Sequence, residues 1–473
     1  MPSQSGHTEV DLTIERLPEL LIGNDREVPI IGGRKRYVNF DNASSTPTFK
    51  NIADTVDRFL GWYSNVHRGT GFKSQISSWV FEESRKIVAR FVGADPAEKV
   101  VLYTRNSTEA INKLARRFAA WTNAVVLTSL MEHSSNELPW RRVATVDHIG
   151  LNDDGTVSKE DFERKLKIHK GRLRLVAITG ASNVNGYIND IDYFARRTHE
   201  AGAQLLVDGA QLVPHRPVNM KASGDPSHID YLVFSAHKMY APYGIGVLVG
   251  DRQMFETGDP DNVGGGVVDM VTLEDAYWSD LPDKEEAGTP DIVGVVALGA
   301  VIKMFERLGW ENIVRHEAEL TAHTLRELSK IPGVAIYGDG DPENAVNRLG
   351  VISFNVGRIP HALTAAILNY EGAIGVRAGC FCSHTYVKSL LNIDKVAEQK
   401  LIDSIISRDR SHLPGAVRAS FGIYNTHEEV DELIFIAEKI AAGRYYQDYV
   451  LNKEKGEYRP REYAVDFREY FDF

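Results

Sequence analysis

The chain has 473 residues, 43% hydrophobic and 25% charged, which suits a soluble enzyme of about two domains. Lys and Arg number 54 against 65 Asp and Glu, a net charge of −11, so reading a phosphate backbone with a basic face is excluded as the main role. No apolar run approaches the ~20 residues of a membrane span, and no basic-then-apolar leader opens the chain. The two cysteines, Cys380 and Cys382, flank a single phenylalanine, too close for an unstrained disulfide. A reducing cytoplasm, no nucleic-acid partner, no membrane and no metal are the expectations.

Residues 1–30 read as an N-terminal arm, and residues 31–290 as a large domain whose stretch near 31–50 joins a smaller one. Short Val-, Leu- and Ile-rich runs follow at Val100–Tyr103, Ala124–Thr128, Leu173–Thr179, Gln204–Val207, Tyr231–Phe234 and Ile245–Val249. Amphipathic stretches such as 109–121 and 191–201 alternate with them, the pattern of an α/β domain with a mainly parallel buried sheet. The last runs are closely spaced, so antiparallel pairing is expected at one end. A linker is expected around Gly288, Thr289 and Pro290. Helical periodicity then dominates residues 295–308 and 313–329, opening a smaller α+β domain over residues 291–444. Residues 445–473 are aromatic and charged without clear period, and read as a tail lying on the body or on a partner subunit.

Three local patterns carry chemistry. Phe234-Ser235-Ala236-His237-Lys238-Met239 places a lysine straight after an apolar strand, where desolvation lowers its pKa and suits it to Schiff-base work. Alone, it reads first as a partly buried structural lysine. Val207-Asp208-Gly209-Ala210-Gln211 ends a strand with an acid, at the edge where open α/β sheets bind ligands. A turn aspartate is the plain alternative. Asn106-Ser107-Thr108-Glu109 opens a helix after a strand, offering free N–H groups and hydroxyls to a phosphate, although alone it reads first as simple capping.

Taken in order with Asp41-Asn42-Ala43, Glu132-His133, Ser182-Asn183-Val184, Ala287-Gly288-Thr289-Pro290 and Tyr424-Asn425-Thr426, these stretches resemble the class V aminotransferase family, in its cysteine desulfurase and selenocysteine lyase branch. The likeness spans roughly residues 37–440. It implies a pyridoxal 5'-phosphate enzyme of fold type I, a homodimer with a large cofactor domain. It implies Lys238 as the residue that carries the cofactor and moves the Cα proton, Asp208 on the ring nitrogen and Gln211 on the ring hydroxyl. His133 would stack on the ring, Ser107, Thr108, Ser235 and His237 would hold the phosphate, and Thr289 would reach in from a second subunit. Asn183 and Arg418 would bind the substrate carboxylate, with Arg377 beside them.

Arg377-Ala378-Gly379-Cys380-Phe381-Cys382-Ser383-His384 is the distinguishing stretch, because desulfurases carry a nucleophilic cysteine after a similar arginine and glycine. Cys382 fits that placement, and its polar successors suit a thiolate better than the position of Cys380, which reads as packed. Departures from the family are Asn106, Ser134 where many relatives have a second histidine, and the 36-position separation of Cys382 and Arg418. The extra segment, roughly 387–412, looks partly helical and is long enough that it could cover the pocket and alter the substrate. The expected reaction is conversion of L-cysteine to L-alanine with a persulfide on Cys382, and an acceptor protein downstream. The rivals are a carbon–sulfur lyase, epimerase or transaminase without a cysteine nucleophile, or a scaffold that has lost turnover, which would need none of these site residues.

Overall fold

In the computed structural model, residues 12–67 and 69–473 are described; residues 1–11 of the expected arm, and Arg68, lie outside them. A seven-stranded sheet forms the large domain. Its spatial order is Lys99–Thr104, Gly246–Asp251, Tyr231–Ser235, Gln204–Asp208, Leu173–Thr179, Val125–Ser129 and Thr145–Ile149. Gly246–Asp251 runs antiparallel to both neighbours, and the other adjacent pairs are parallel. The antiparallel strand is the last of the closely spaced runs, whose short connection leaves no room for a crossover helix.

Both sheet faces are covered, so side chains along each strand divide between two cores. Leu232 and Phe234 enter the larger cluster, while Tyr231 and Val233 enter one with Ile111, Leu114 and Phe118 of the helix Ser107–Phe118. Each such side chain contributes about 1.5–3 kcal/mol by leaving water. The helix Ile292–Leu308, just past the expected linker, packs into the larger cluster with Ile245 and Val249 and lies against the helix Phe72–Phe91. It is apolar on nearly every side, so it belongs to the large core even though it follows the linker in sequence.

A four-stranded antiparallel sheet, in the order Val334–Tyr337, Val351–Val356, Ala416–Ser420 and Arg377–Gly379, forms a second core with the helices His361–Gly372 and His427–Ala441. Val38–Asn39 pairs in parallel with Ile374–Gly375, tying the early part of the chain to this unit. The extra segment forms two helices, His384–Leu390 and Lys395–Ile406. The tail folds as a hairpin, Tyr449–Asn452 with Glu457–Pro460, whose Tyr449 packs on the second core.

Candidate active site

The site lies where the large sheet presents the C-terminal ends of its parallel strands to the small sheet. A polar cavity of about 470 Å³ opens there, lined by Ser107, Thr108, His133, Asn183, Asp208, Gln211, Ser235, His237, Lys238, Arg377, Cys382 and Arg418. Tertiary structure thus brings together all but one of the expected site residues, from segments as distant in the chain as Ser107 and Arg418. Thr289 is the exception: it lines a separate cavity with Arg105 and Gly244.

At one end sits the start of the helix Ser107–Phe118. Asn106 caps it by accepting the Glu109 N–H at 2.9 Å, which leaves the first turn facing the cavity. The Ser107 N–H donates to Ser235 Oγ at 2.8 Å, joining the helix to the end of Tyr231–Ser235. Gly246 permits this approach, since a Cβ there would meet the backbone of Asn106 at 2.3 Å. Thr108 Oγ1 and Ser135 Oγ are 2.7 Å apart. His237 loses its proton readily, its pKa lowered to about 4 by burial and by Lys238.

Lys238 closes the short turn Ala236–Lys238 that follows the strand. Burial lowers its pKa to about 8, against the opposing pull of the Asp208 charge. Asp208 ends its strand buried, accepts the Ala210 N–H at 3.0 Å, and has its own pKa raised by burial. A buried acid facing a cavity calls for a cationic partner. Gln211 is buried and donates to the Ala43 carbonyl at 2.8 Å. His133 accepts the Ser135 N–H on Nδ1 at 3.1 Å, and burial with the nearby positive charges lowers its pKa to about 4. It is a neutral imidazole.

Arg418 is 2% exposed on the strand Ala416–Ser420. It donates to Asp41 Oδ1 at 2.9 Å, Ser44 Oγ at 2.7 Å and the Asn183 carbonyl at 2.9 Å, while its Nε is buried without a partner. Arg377 meets the other oxygen of Asp41 at 3.0 Å. Asp41 and Ser44 were not among the expected site residues, although Asp41 opens one of the family-like stretches. Asp41 thus sits between two arginines at this corner of the cavity.

Cys382 is exposed and Cys380 half-buried. The Cys380 thiol donates to the Pro414 carbonyl at 3.2 Å, and burial pushes it up to about 11. Phe381 and Cys382 both have left-handed backbones, with φ of 53° and 58°. Each costs on the order of 1–3 kcal/mol unless its surroundings hold it. The extra segment is not among the residues lining this cavity. It lines another, of about 660 Å³, with Cys380 and the tail hairpin. Its first helix is held on the large domain, where the buried Tyr386 hydroxyl donates to the Gly155 carbonyl at 2.8 Å.

A helix N-terminus with hydroxyls, a buried acid and a low-pKa lysine around one cavity fit a phosphorylated pyridine aldehyde, pyridoxal phosphate. The family profile of aminotransferase class-V matches residues 38–433, and the chain belongs to that family. It is a pyridoxal-phosphate enzyme of fold type I. It is 35% identical over 413 residues to a probable cysteine desulfurase of Halalkalibacterium halodurans, covering 85% of this chain and 92% of that one. It is 34% identical to a cysteine desulfurase of Haloferax volcanii, covering 84% and 88%. Among solved structures, the apo cysteine desulfurase of Thermococcus onnurineus superposes with a TM-score of 0.75 at 33% identity, covering 86% and 95%.

Proposed function

We propose that the chain is a cysteine desulfurase that converts L-cysteine to L-alanine and takes the sulfur onto Cys382. The observation that carries this reading is the exposed Cys382 lining the same cavity as Lys238, Asp208 and Arg418. Lys238 would hold the cofactor, Asp208 its ring nitrogen, and Ser107, Thr108, Ser235 and His237 its phosphate. When bound, the cofactor supplies the electron sink that makes the substrate Cα proton acidic.

Arg418 would bind the substrate carboxylate, which would compete with Asp41 and Ser44 for the donors of its Nη2 group. Lys238, half neutral near pH 8, takes and returns the proton at Cα. His133, lining the cavity, would stack its uncharged ring on the cofactor. The Cys382 thiolate attacks the substrate sulfur; an S–S bond forms as the C–S bond breaks, its electron pair staying on Cβ, which takes up a proton to give alanine beside a Cys382 persulfide. No outside oxidant is needed. A thiol of an acceptor protein would then remove the outer sulfur.

Thr289, outside the cavity of its own chain, supports a dimer in which it completes the partner's phosphate site. The deciding experiment supplies L-cysteine and measures alanine, pyruvate and sulfide separately in wild type and Cys382→Ser. Alanine formation that stops in the variant supports the desulfurase. Undiminished turnover, or pyruvate as product, assigns a cysteine-independent lyase.

A further inference from the structure

Three residues of the cysteine loop are tied to the large domain. The Ser134 N–H and Oγ–H both donate to the Cys382 carbonyl, at 2.8 and 2.7 Å. Asn183 holds the flanking residues: its amide donates to the Phe381 carbonyl at 2.8 Å and accepts from Ser383 Oγ at 2.9 Å. The Phe381 ring lies against the Arg418 guanidinium at 4.9 Å. Asn183 therefore spends its side chain on the loop, beside the substrate corner to which the sequence assigns it.

We propose that Ser134 is a positioning residue for the sulfur nucleophile, an inference that rests on the desulfurase reading. Two successive non-glycine residues with positive φ favour relaxation to the ordinary basin, which would move Cys382 from its place in the cavity. The paired donors of Ser134 fix the carbonyl of Cys382 itself, so the backbone that aims Sγ is set before substrate arrives. Only a short hydroxyl side chain at the first position of its helical turn places both donors on one oxygen. Ser134 touches neither Lys238 nor the substrate corner in any of its hydrogen bonds, so its effect is confined to the sulfur step.

A graded series in the full-length, cofactor-loaded enzyme tests this. Ser134→Thr keeps both donors, Ser134→Ala removes one, and Ser134→Pro removes both while suiting the start of a helical turn. His133, with φ −66° and ψ 146°, already has the extended backbone that precedes a proline. Steady-state alanine release and single-turnover persulfide on Cys382, mapped by mass spectrometry, are measured. The expected losses in kcat are under about threefold for Thr, about tenfold for Ala and about a hundredfold for Pro, by the usual worth of one or two hydrogen bonds. KM for cysteine and the cofactor absorbance stay within about twofold of wild type, because the substrate corner and Lys238 are untouched.

Wild-type kcat in Ser134→Ala overturns the proposal, as does a parallel loss of substrate affinity and cofactor absorbance. Should Ser134→Pro misfold, the Ala and Thr variants decide alone. Cys382→Ser separates the two levels: if it retains turnover the desulfurase reading fails, whereas an inactive Cys382→Ser beside a fully active Ser134→Ala rejects only the positioning role.

Discussion

If Lys238 carries the cofactor, as proposed, its pKa sets how fast the apo-enzyme takes up pyridoxal phosphate, because only the neutral amine attacks the aldehyde. Burial lowers that pKa from 10.5 to about 8. At pH 7.5 a lysine at 10.5 is about 0.1% neutral and one at 8 about 24%, a gain of roughly two hundredfold. The difference corresponds to about 3 kcal/mol between the two protonation states. Stopped-flow loading at constant ionic strength should therefore rise about tenfold per pH unit below about 8 and level off above it. His133 and His237, both lowered to about 4, add no break in the neutral range. The signs of two perturbations follow. Asp208 raises the Lys238 pKa, so Asp208→Asn moves the break to lower pH; Arg418 lowers it, so Arg418→Gln moves it higher. A loading rate that climbs without a break to about pH 10, the range of an ordinary lysine, or shifts of opposite sign, refutes a desolvated Lys238.

Arg418→Ala should raise KM for cysteine by about 10- to 150-fold, the worth of hydrogen bonds to a charged group, and an unchanged KM measured by alanine release refutes its role. Cys380→Ser should keep activity within about threefold, since its raised thiol faces the other cavity, while Cys382→Ser loses more than about a hundredfold. Iodoacetamide near neutral pH, followed by peptide mapping, should label Cys382 well before Cys380; the reverse order refutes that assignment. Leu206→Ala, in the fully buried middle of the sheet, should cost about 2–5 kcal/mol in denaturant unfolding, and a loss below about 1 kcal/mol would contradict its packing. Light scattering of the loaded enzyme should give a dimer; a fully active monomer refutes the assignment of Thr289 to a partner's site.

The alternation of Val-, Leu- and Ile-rich runs with amphipathic helices was legible from the chain alone, because strand period and burial leave their marks on neighbouring residues. The placement of Lys238, Asp208 and the Ser107 helix start at strand ends was legible too, each being a short contiguous pattern, and the structure gathers them around one cavity. Cys382 was singled out by the spacing from Arg377 that the family resemblance suggested, and it lines the same cavity. The partners of Arg418 were not, since Asp41 and Ser44 stand 377 and 374 positions away and meet it only when Val38–Asn39 joins the small domain. Nor was the hold of Ser134 and Asn183 on the loop, or the direction in which residues 387–412 pack. Local pattern records what each segment buries and how its own backbone runs. Which polar groups finally meet across two domains depends on long-range packing, and that is decided only when the sheets close on one another.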